Sequence, residues 1–341
     1  MTAVAHKGPD VAASTGCAEH RAVIQAIEPA VERELRVLAP VARAWQSSDY
    51  LPDFERDDWV DRVSALRTAA AALPDDLLVV LVGDMVTEEA LPSYSLALNQ
   101  LVQDHEGTSP APWARWLRGW SAEENRHGDL LNAYLRLTGR VDMRGVEESV
   151  HTLIANGFAP ETGTDPYHLL VYTAFQERAT RLSHGQVGRR ADEAGEPHLA
   201  RICRVIAGDE ARHERFYTRM MAEVLAHDPA GGVMAFATML KRQVAMPGRR
   251  MADGRDPDLF DRFAAVAQRT GVYTATDYAS IVAHLVQTWN IARLSVTGEA
   301  ARDQDALCRA PARLARVADR VAAAVRRRPP SAFRWIRGRV A

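Results

Sequence analysis

Two words, Glu123-Glu124-Asn125-Arg126-His127 and Asp209-Glu210-Ala211-Arg212-His213, decide how this chain folds. Each holds Glu-x-x-His. On an α-helix residues three apart share a face, so each word aims one carboxylate and one imidazole at a single point. Each also has an upstream carboxylate: Glu88 lies 124 − 88 = 36 residues before the first, and Glu177 lies 210 − 177 = 33 before the second. The motif alone is weak, because Glu148 and His151 repeat it while positions 112 to 115 upstream read Pro, Trp, Ala, Arg. What sets the other two apart is the partner and its setting. Leu77 to Val82 leads into Glu88, and Leu169-Leu170-Val171-Tyr172 leads into Glu177, strongly apolar helices in which a free carboxylate is costly to bury.

Four carboxylates converging inside a bundle repel one another and lose hydration, and two divalent cations supply the four opposing charges. A Glu from each of two helices plus Glu-x-x-His from each of two others is the donor set of dinuclear carboxylate sites in ferritin-like four-helix bundles. The expected metal ligands are therefore Glu88, Glu124, His127, Glu177, Glu210 and His213. An oxygen-rich set with two imidazoles suits iron or manganese better than zinc. Thr180, three residues after Glu177, faces the same point by spacing; the competing reading is a hydroxyl bonded back to its own helix. Asp209, beside Glu210, is placed to orient a ligand histidine.

The rest of the chain reads as helix. Apolar positions recur at helical spacing from about Val23 to Ala44, and a second helix covers roughly Asp57 to Ala72. Pro74-Asp75-Asp76 opens the helix that carries Glu88, with Pro92 expected to kink it on the way to His105. Pro112 opens the helix of Glu124 and His127, which ends near Gly139; another runs from about Arg144 to Ala155. The loop from Ala159 to Pro166 leads into the helix of Glu177, and Gly195-Glu196-Pro197 into that of Glu210 and His213. Only Phe333 to Arg337 hints at a strand. The expectation is an all-α protein: a ferritin-like four-helix-bundle core with additional packed helices, one domain over residues 21–341 with a helical extension from about 228. Residues 1–20 read as a disordered leader.

Hydrophobic residues make up 47% and charged residues 25%, with a net charge of −2, so the whole chain carries no nucleic-acid footprint. No apolar run suggests a membrane-embedded protein. Cys17, Cys203 and Cys308 are too few and scattered for a disulfide framework or a thiolate metal site. The expected location is the cytoplasm, or the plastid stroma if the leader is a transit peptide.

Longer words around the candidate ligands carry a resemblance. Val82-Gly83-Asp84-Met85-Val86-Thr87-Glu88-Glu89-Ala90-Leu91-Pro92, Ala122 to Leu131, Phe175-Gln176-Glu177-Arg178-Ala179-Thr180 and Asp209 to Glu214 closely resemble the soluble acyl-acyl-carrier-protein desaturases, and Ala245-Met246-Pro247, Asp253-Gly254-Arg255-Asp256 and Gly271-Val272-Tyr273-Thr274-Ala275 extend the likeness from about Trp45 to the C-terminus. The resemblance implies a homodimer and two iron ions. Glu88 and His127 would then be terminal ligands of one, Glu177 and His213 of the other, with Glu124 and Glu210 bridging. It further implies a hydrogen-bonded path from His127 through Asp209 and Trp45 towards the surface, and places the Thr180 hydroxyl beside the oxygen site.

The activity implied is O₂-dependent insertion of a cis double bond into a saturated acyl chain on acyl carrier protein, with two electrons from a ferredoxin-type donor. An unactivated methylene has no acidic proton, so a metal cofactor must carry the step. Leu101, Pro160, Thr162 and Leu169 match positions the resemblance sets along the acyl channel. Leu169 stands where plant stearoyl-type members have Gly, which predicts a shallower channel and a chain shorter than stearoyl. The carrier is acidic, and Arg189-Arg190, Arg249-Arg250 and Arg326-Arg327-Arg328 are candidate docks. The alternative function is a di-iron hydroxylase or N-oxygenase on a carrier-bound substrate.

Overall fold

The computed structural model describes residues 11–158 and 160–341, with side chains described from Cys17 onwards. In chain order the described helices are α1 (Val11–Ala26), α2 (Glu28–Glu34), α3 (Trp59–Ala70), α4 (Asp75–Glu88), α5 (Leu91–Val102), α6 (Pro112–Thr138) and α7 (Met143–Asn156). They continue as α8 (Pro166–Glu193), α9 (Pro197–His227), α10 (Pro229–Arg242), α11 (Leu259–Thr270), α12 (Ala275–Thr288) and α13 (Gly298–Val325). Among the described residues there is no strand beyond a single antiparallel bridge, Ala332 to Val340. None of the described helices is long and apolar enough to cross a membrane.

The long helices start where proline tolerates a missing N–H donor. Pro112, Pro166 and Pro197 stand in the first turns of α6, α8 and α9. The Asp165 and Glu196 side chains accept from backbone N–H groups at the starts of α8 and α9. Gly139 ends α6 at φ 64°, a conformation that favours glycine. Pro92 acts by the same rule: the chain breaks after Glu88, and Pro92 opens α5 instead of kinking a continuous helix.

Helices α4, α6, α8 and α9 form the bundle, with α4 on α6, α8 on α9, α4 on α8 and α6 on α9. Two apolar clusters fill it. One holds Trp113, Trp116 and Trp120 of α6, Leu169 to Phe175 of α8 and Phe216 to Leu225 of α9. The other holds Leu77 to Val86 of α4, Leu130 to Leu135 of α6, Val187 of α8 and Leu199 to Ile206 of α9. Between them, at residues 120–130 of α6 and 206–216 of α9, lies the layer that carries the two Glu-x-x-His words. Gly128 lets α6 close on the end of α4: a Cβ there would stand 3.3 Å from Glu89 N and 3.4 Å from the Glu88 carbonyl carbon.

Three expectations are corrected. The leader was expected to run to His20, but α1 begins at Val11; residues 1–10, and Ala159 of the loop before α8, lie outside the described residues. The helix expected from Val23 to Ala44 ends at Ala26, because Pro29 opens α2 and Pro40 leads into a short 3-10 turn. Within Phe333 to Arg337 the structure has a 3-10 turn, Arg334–Ile336, and not a strand.

The second half of α1 is pinned to the start of α8. His20 Nδ1 lies 2.9 Å from Asp165 Oδ1, and its ring stacks on Tyr167 at 3.8 Å. Arg21 donates to Gln100 O at 3.2 Å. Burial opposes the His20 charge, but the hydrogen bond and charge of Asp165 outweigh it and raise the imidazole pKa. That contribution is complete below the ordinary imidazole value of about 6.5 and is lost as pH rises through the raised folded value. Asp165 is depressed despite burial, so its share is lost only as pH falls through its own folded value. Amide exchange in Cys17 to Ala26 is therefore expected to accelerate, beyond the intrinsic trend, as pH rises past neutrality, by the equivalent of ~1 kcal/mol. A His20→Ala chain that keeps this step would contradict the assignment.

Candidate metal centre

Each helix of the bundle brings its candidate ligands to the polar layer by a local rule. Glu88 closes α4 at its last residue; Glu124 and His127 stand three apart on α6, and Glu210 and His213 three apart on α9; Glu177 sits midway along α8. All six are buried, at 7% exposure or less. They assemble as two groups of four. Glu88, Glu124, His127 and Glu210 bring one atom each within 4.8 Å of one another, and so do Glu124, Glu177, Glu210 and His213. The groups share Glu124 and Glu210, so two carboxylates lie between two positions and each position keeps one carboxylate and one imidazole of its own.

The open atoms point to cations. Nδ1 of His127 and of His213, Oε1 of Glu124 and Oε1 of Glu210 are buried with no hydrogen-bond partner. His213 Nδ1 and Glu124 Oε1 are 2.7 Å apart, yet they are not aligned as donor and acceptor. Such a cluster of unbonded lone pairs is costly unless a shared positive charge collects them. Burial opposes charge on the two imidazoles, but Glu124 with Asp209 at His127, and Glu123 with Glu124 at His213, hold both pKa values well above the ordinary one. Burial pushes Glu177 well up. Burial opposes ionisation of Glu88 too, but His127 and His184 hold it down at about 2. The residues fit a pair of divalent cations, and the oxygen-rich donors favour iron or manganese over zinc.

The opposite nitrogen of each imidazole is engaged. Asp209 Oδ2 lies 3.4 Å from His127 Nε2 and accepts from Trp45 Nε1 at 3.0 Å and from Arg126 Nη2 at 3.0 Å. The expected contacts among His127, Asp209 and Trp45 are thus present, and Trp45 is half-buried. Glu123 Oε2 lies 2.9 Å from His213 Nε2. The Thr180 hydroxyl is 2.9 Å from Glu210 Oε2 and also reaches Gln176 O at 3.2 Å and Glu177 O at 3.1 Å, so its one hydrogen is within reach of both the site and its own helix.

Several contributors were not singled out from the sequence. Glu123 precedes Glu124 as Asp209 precedes Glu210, and that parallel was the available signal. His184, seven residues and so two turns after Glu177, places Nε2 2.8 Å from Glu88 Oε1. Trp120 Nε1 donates to Glu177 Oε1 at 3.0 Å. The third Glu-x-x-His takes no part: Glu148 pairs with Arg144 and Arg334, and His151 is exposed.

Two cavities meet at the layer. A narrow slot of about 50 Å³ runs between α5 and the first half of α8, walled by Tyr94, Leu98, Phe158, Leu169 and Tyr172. A larger cavity of about 900 Å³ runs out under α11 and α13, past Tyr273, Arg313, Val317, Val321 and Arg328. Both have Thr87, Glu88, Gln176, Thr180 and Pro247 as walls. Leu169 is one of the slot's walls. Leu101, Pro160 and Thr162 are buried and line neither cavity. Of the arginine groups, Arg189 and Arg190 bond to Glu193 and Arg250 to Asn156 O, whereas Arg249 and Arg328 wall the large cavity.

The chain is 50% identical over 330 residues to acyl-[acyl-carrier-protein] desaturase 3, chloroplastic, of Oryza sativa subsp. indica, covering 94% of this chain and 82% of that one. It is 49% identical over 310 residues to stearoyl-[acyl-carrier-protein] 9-desaturase, chloroplastic, of Ricinus communis, covering 90% and 78%. The solved structure of DesA2 from Mycobacterium tuberculosis H37Rv shares the fold, with a TM-score of 0.53 at 21% identity over 80% of this chain and 96% of that one. The fatty acid desaturase family pattern matches residues 19–337, and this chain belongs to that family.

Proposed function

We propose that the protein desaturates a saturated acyl chain carried on acyl carrier protein, using O₂ and two electrons at a pair of iron ions held by Glu88, Glu124, His127, Glu177, Glu210 and His213. The observation that carries this reading is the junction of the two cavities at Glu88, Thr180 and Gln176, beside the six buried ligands. It gives a carrier-linked chain a wide approach on one side and an apolar slot for its tail on the other. When bound, the metals supply what no side chain here can: oxygen chemistry strong enough to break an unactivated C–H bond. Two hydrogens from the chain, two electrons from a donor of the ferredoxin class and two protons turn one O₂ into two waters.

The chain's own residues position and exclude. Tyr94, Leu98, Phe158, Leu169 and Tyr172 wall the tail with apolar and aromatic surface and keep water from it. Thr180 offers its hydroxyl hydrogen to Glu210 at the wall both cavities share. Trp45, bonded to Asp209, opens the ligand layer towards the surface and is the candidate point of electron arrival. Arg249, Arg313 and Arg328 line the large cavity together with Lys241 and Asp261, and the excess of positive charge complements an acidic carrier. The double variant Arg313→Glu with Arg328→Glu is expected to raise KM for the acyl carrier at least ~10-fold with little change in kcat. An unchanged KM would remove this face from the docking surface.

Because the slot is only about 50 Å³ and Leu169 is among its walls, palmitoyl and myristoyl chains are expected to turn over in preference to stearoyl, and Leu169→Gly to shift that preference towards stearoyl by ~10-fold or more. Mass spectrometry of products from a panel of acyl-carrier substrates checks both points. A clear stearoyl preference in the parent would contradict the shallow slot. An alcohol or N-oxide in place of an alkene would move the protein to the hydroxylase or N-oxygenase reading.

A further inference from the structure

The two carboxylates behind the imidazoles reach them crosswise. Asp209 of α9 supports His127 of α6, and Glu123 of α6 supports His213 of α9. One guanidinium joins both. Arg212 donates from Nη1 to Asp209 Oδ1 at 2.7 Å, from Nη2 to Glu123 Oε2 at 2.7 Å, and from Nε to Val37 O at 3.1 Å. All three of its nitrogens are used, and the two carboxylates are buried at 1% and 5% exposure. Arg126, the other arginine on Asp209, turns its Nη1 to Trp45 O instead and does not bond to Glu123.

A planar guanidinium fixed at three nitrogens is a rigid fork: a shift of one carboxylate is felt at the other. We infer that Arg212 is a positioning residue that ties the orientations of His127 and His213 together, so that a cation settling at one position prepares the other. This rests on the cluster being a two-metal site but not on the acyl reaction. It also singles out Arg212 from the second possible coupling route, the shared carboxylates Glu124 and Glu210, which touch both positions directly.

The test is titration of the metal-free full chain with Co(II), read by the visible ligand-field bands, which report both stoichiometry and coordination. Asp209→Asn, Glu123→Gln and their double variant are compared in the parent and again with Arg212→Gln. With Arg212 present, the double variant is expected to depart from the product of the single effects on affinity by at least ~5-fold; with Arg212→Gln the effects are expected to multiply independently. Equal non-additivity in both backgrounds would assign the coupling to Glu124 and Glu210 and overturn the inference, as would independence already in the parent. If Arg212→Gln does not fold, Arg212→Lys replaces it. That variant keeps the charge but cannot span both carboxylates, and it is expected to show the same loss of coupling. A parent chain that binds fewer than two Co(II) would instead refute the two-metal reading beneath this one.

Discussion

Glu124→Ala is expected to abolish turnover and to lower affinity at both metal positions by more than ~100-fold, while far-UV circular dichroism keeps the helical signature of the parent. Glu124 belongs to both groups of four, so its loss removes a donor from each and one of the two shared carboxylates between them. Glu88→Ala is the control, because Glu88 serves one group only and the change should leave about one metal per chain. The helices should survive in both variants, since the apolar clusters on either side of the layer do not include these side chains. Metal analysis of the purified variants checks the pair. Two metals retained in Glu124→Ala would refute the shared position of that carboxylate.

Trp335→Ala is expected to cost about 3–5 kcal/mol and to lower Tm on the order of 5 °C. Trp335 is fully buried, its Nε1 donates to Ser149 Oγ at 2.8 Å, and its carbonyl accepts from Asp142 N at 2.7 Å. It seats the C-terminal turn against α4 and α7, where Arg339 also pairs with Asp75 and Arg334 with Glu148. Trp335→Phe keeps most of the volume and loses the hydrogen bond, so about 1 kcal/mol is expected for it. Thermal melts of the two variants give the comparison, and a Trp335→Ala melt that overlays the parent would show the turn to be dispensable.

The ligands were legible in the sequence because helical period is local: Glu and His three apart share a face whatever packs against them. Helix starts at Pro112, Pro166 and Pro197 were legible for the same reason. Arg212 was not, because its fork spans carboxylates on two helices, and no spacing within either word reports the distance between α6 and α9. Glu123 hid behind Glu124, although its place mirrors that of Asp209. The C-terminal turn read as a possible strand because aromatic and β-branched residues are enriched in strands, and here burial against α4 and α7 overrode that preference. The slot needed the structure as well: the resemblance points to Leu169, whereas Tyr94, Leu98, Phe158 and Tyr172 come together with it only through the packing of α5 against α8.

The most direct test of the whole account is a turnover of the iron-loaded chain with a reduced ferredoxin and palmitoyl-carrier substrate under isotopically heavy oxygen gas. The expected acyl product is lighter by two hydrogens, with a cis double bond and no heavy oxygen, and all of the label is in water. Heavy oxygen retained in the acyl chain would contradict desaturation, because the same six ligands would then serve an oxygen-inserting enzyme.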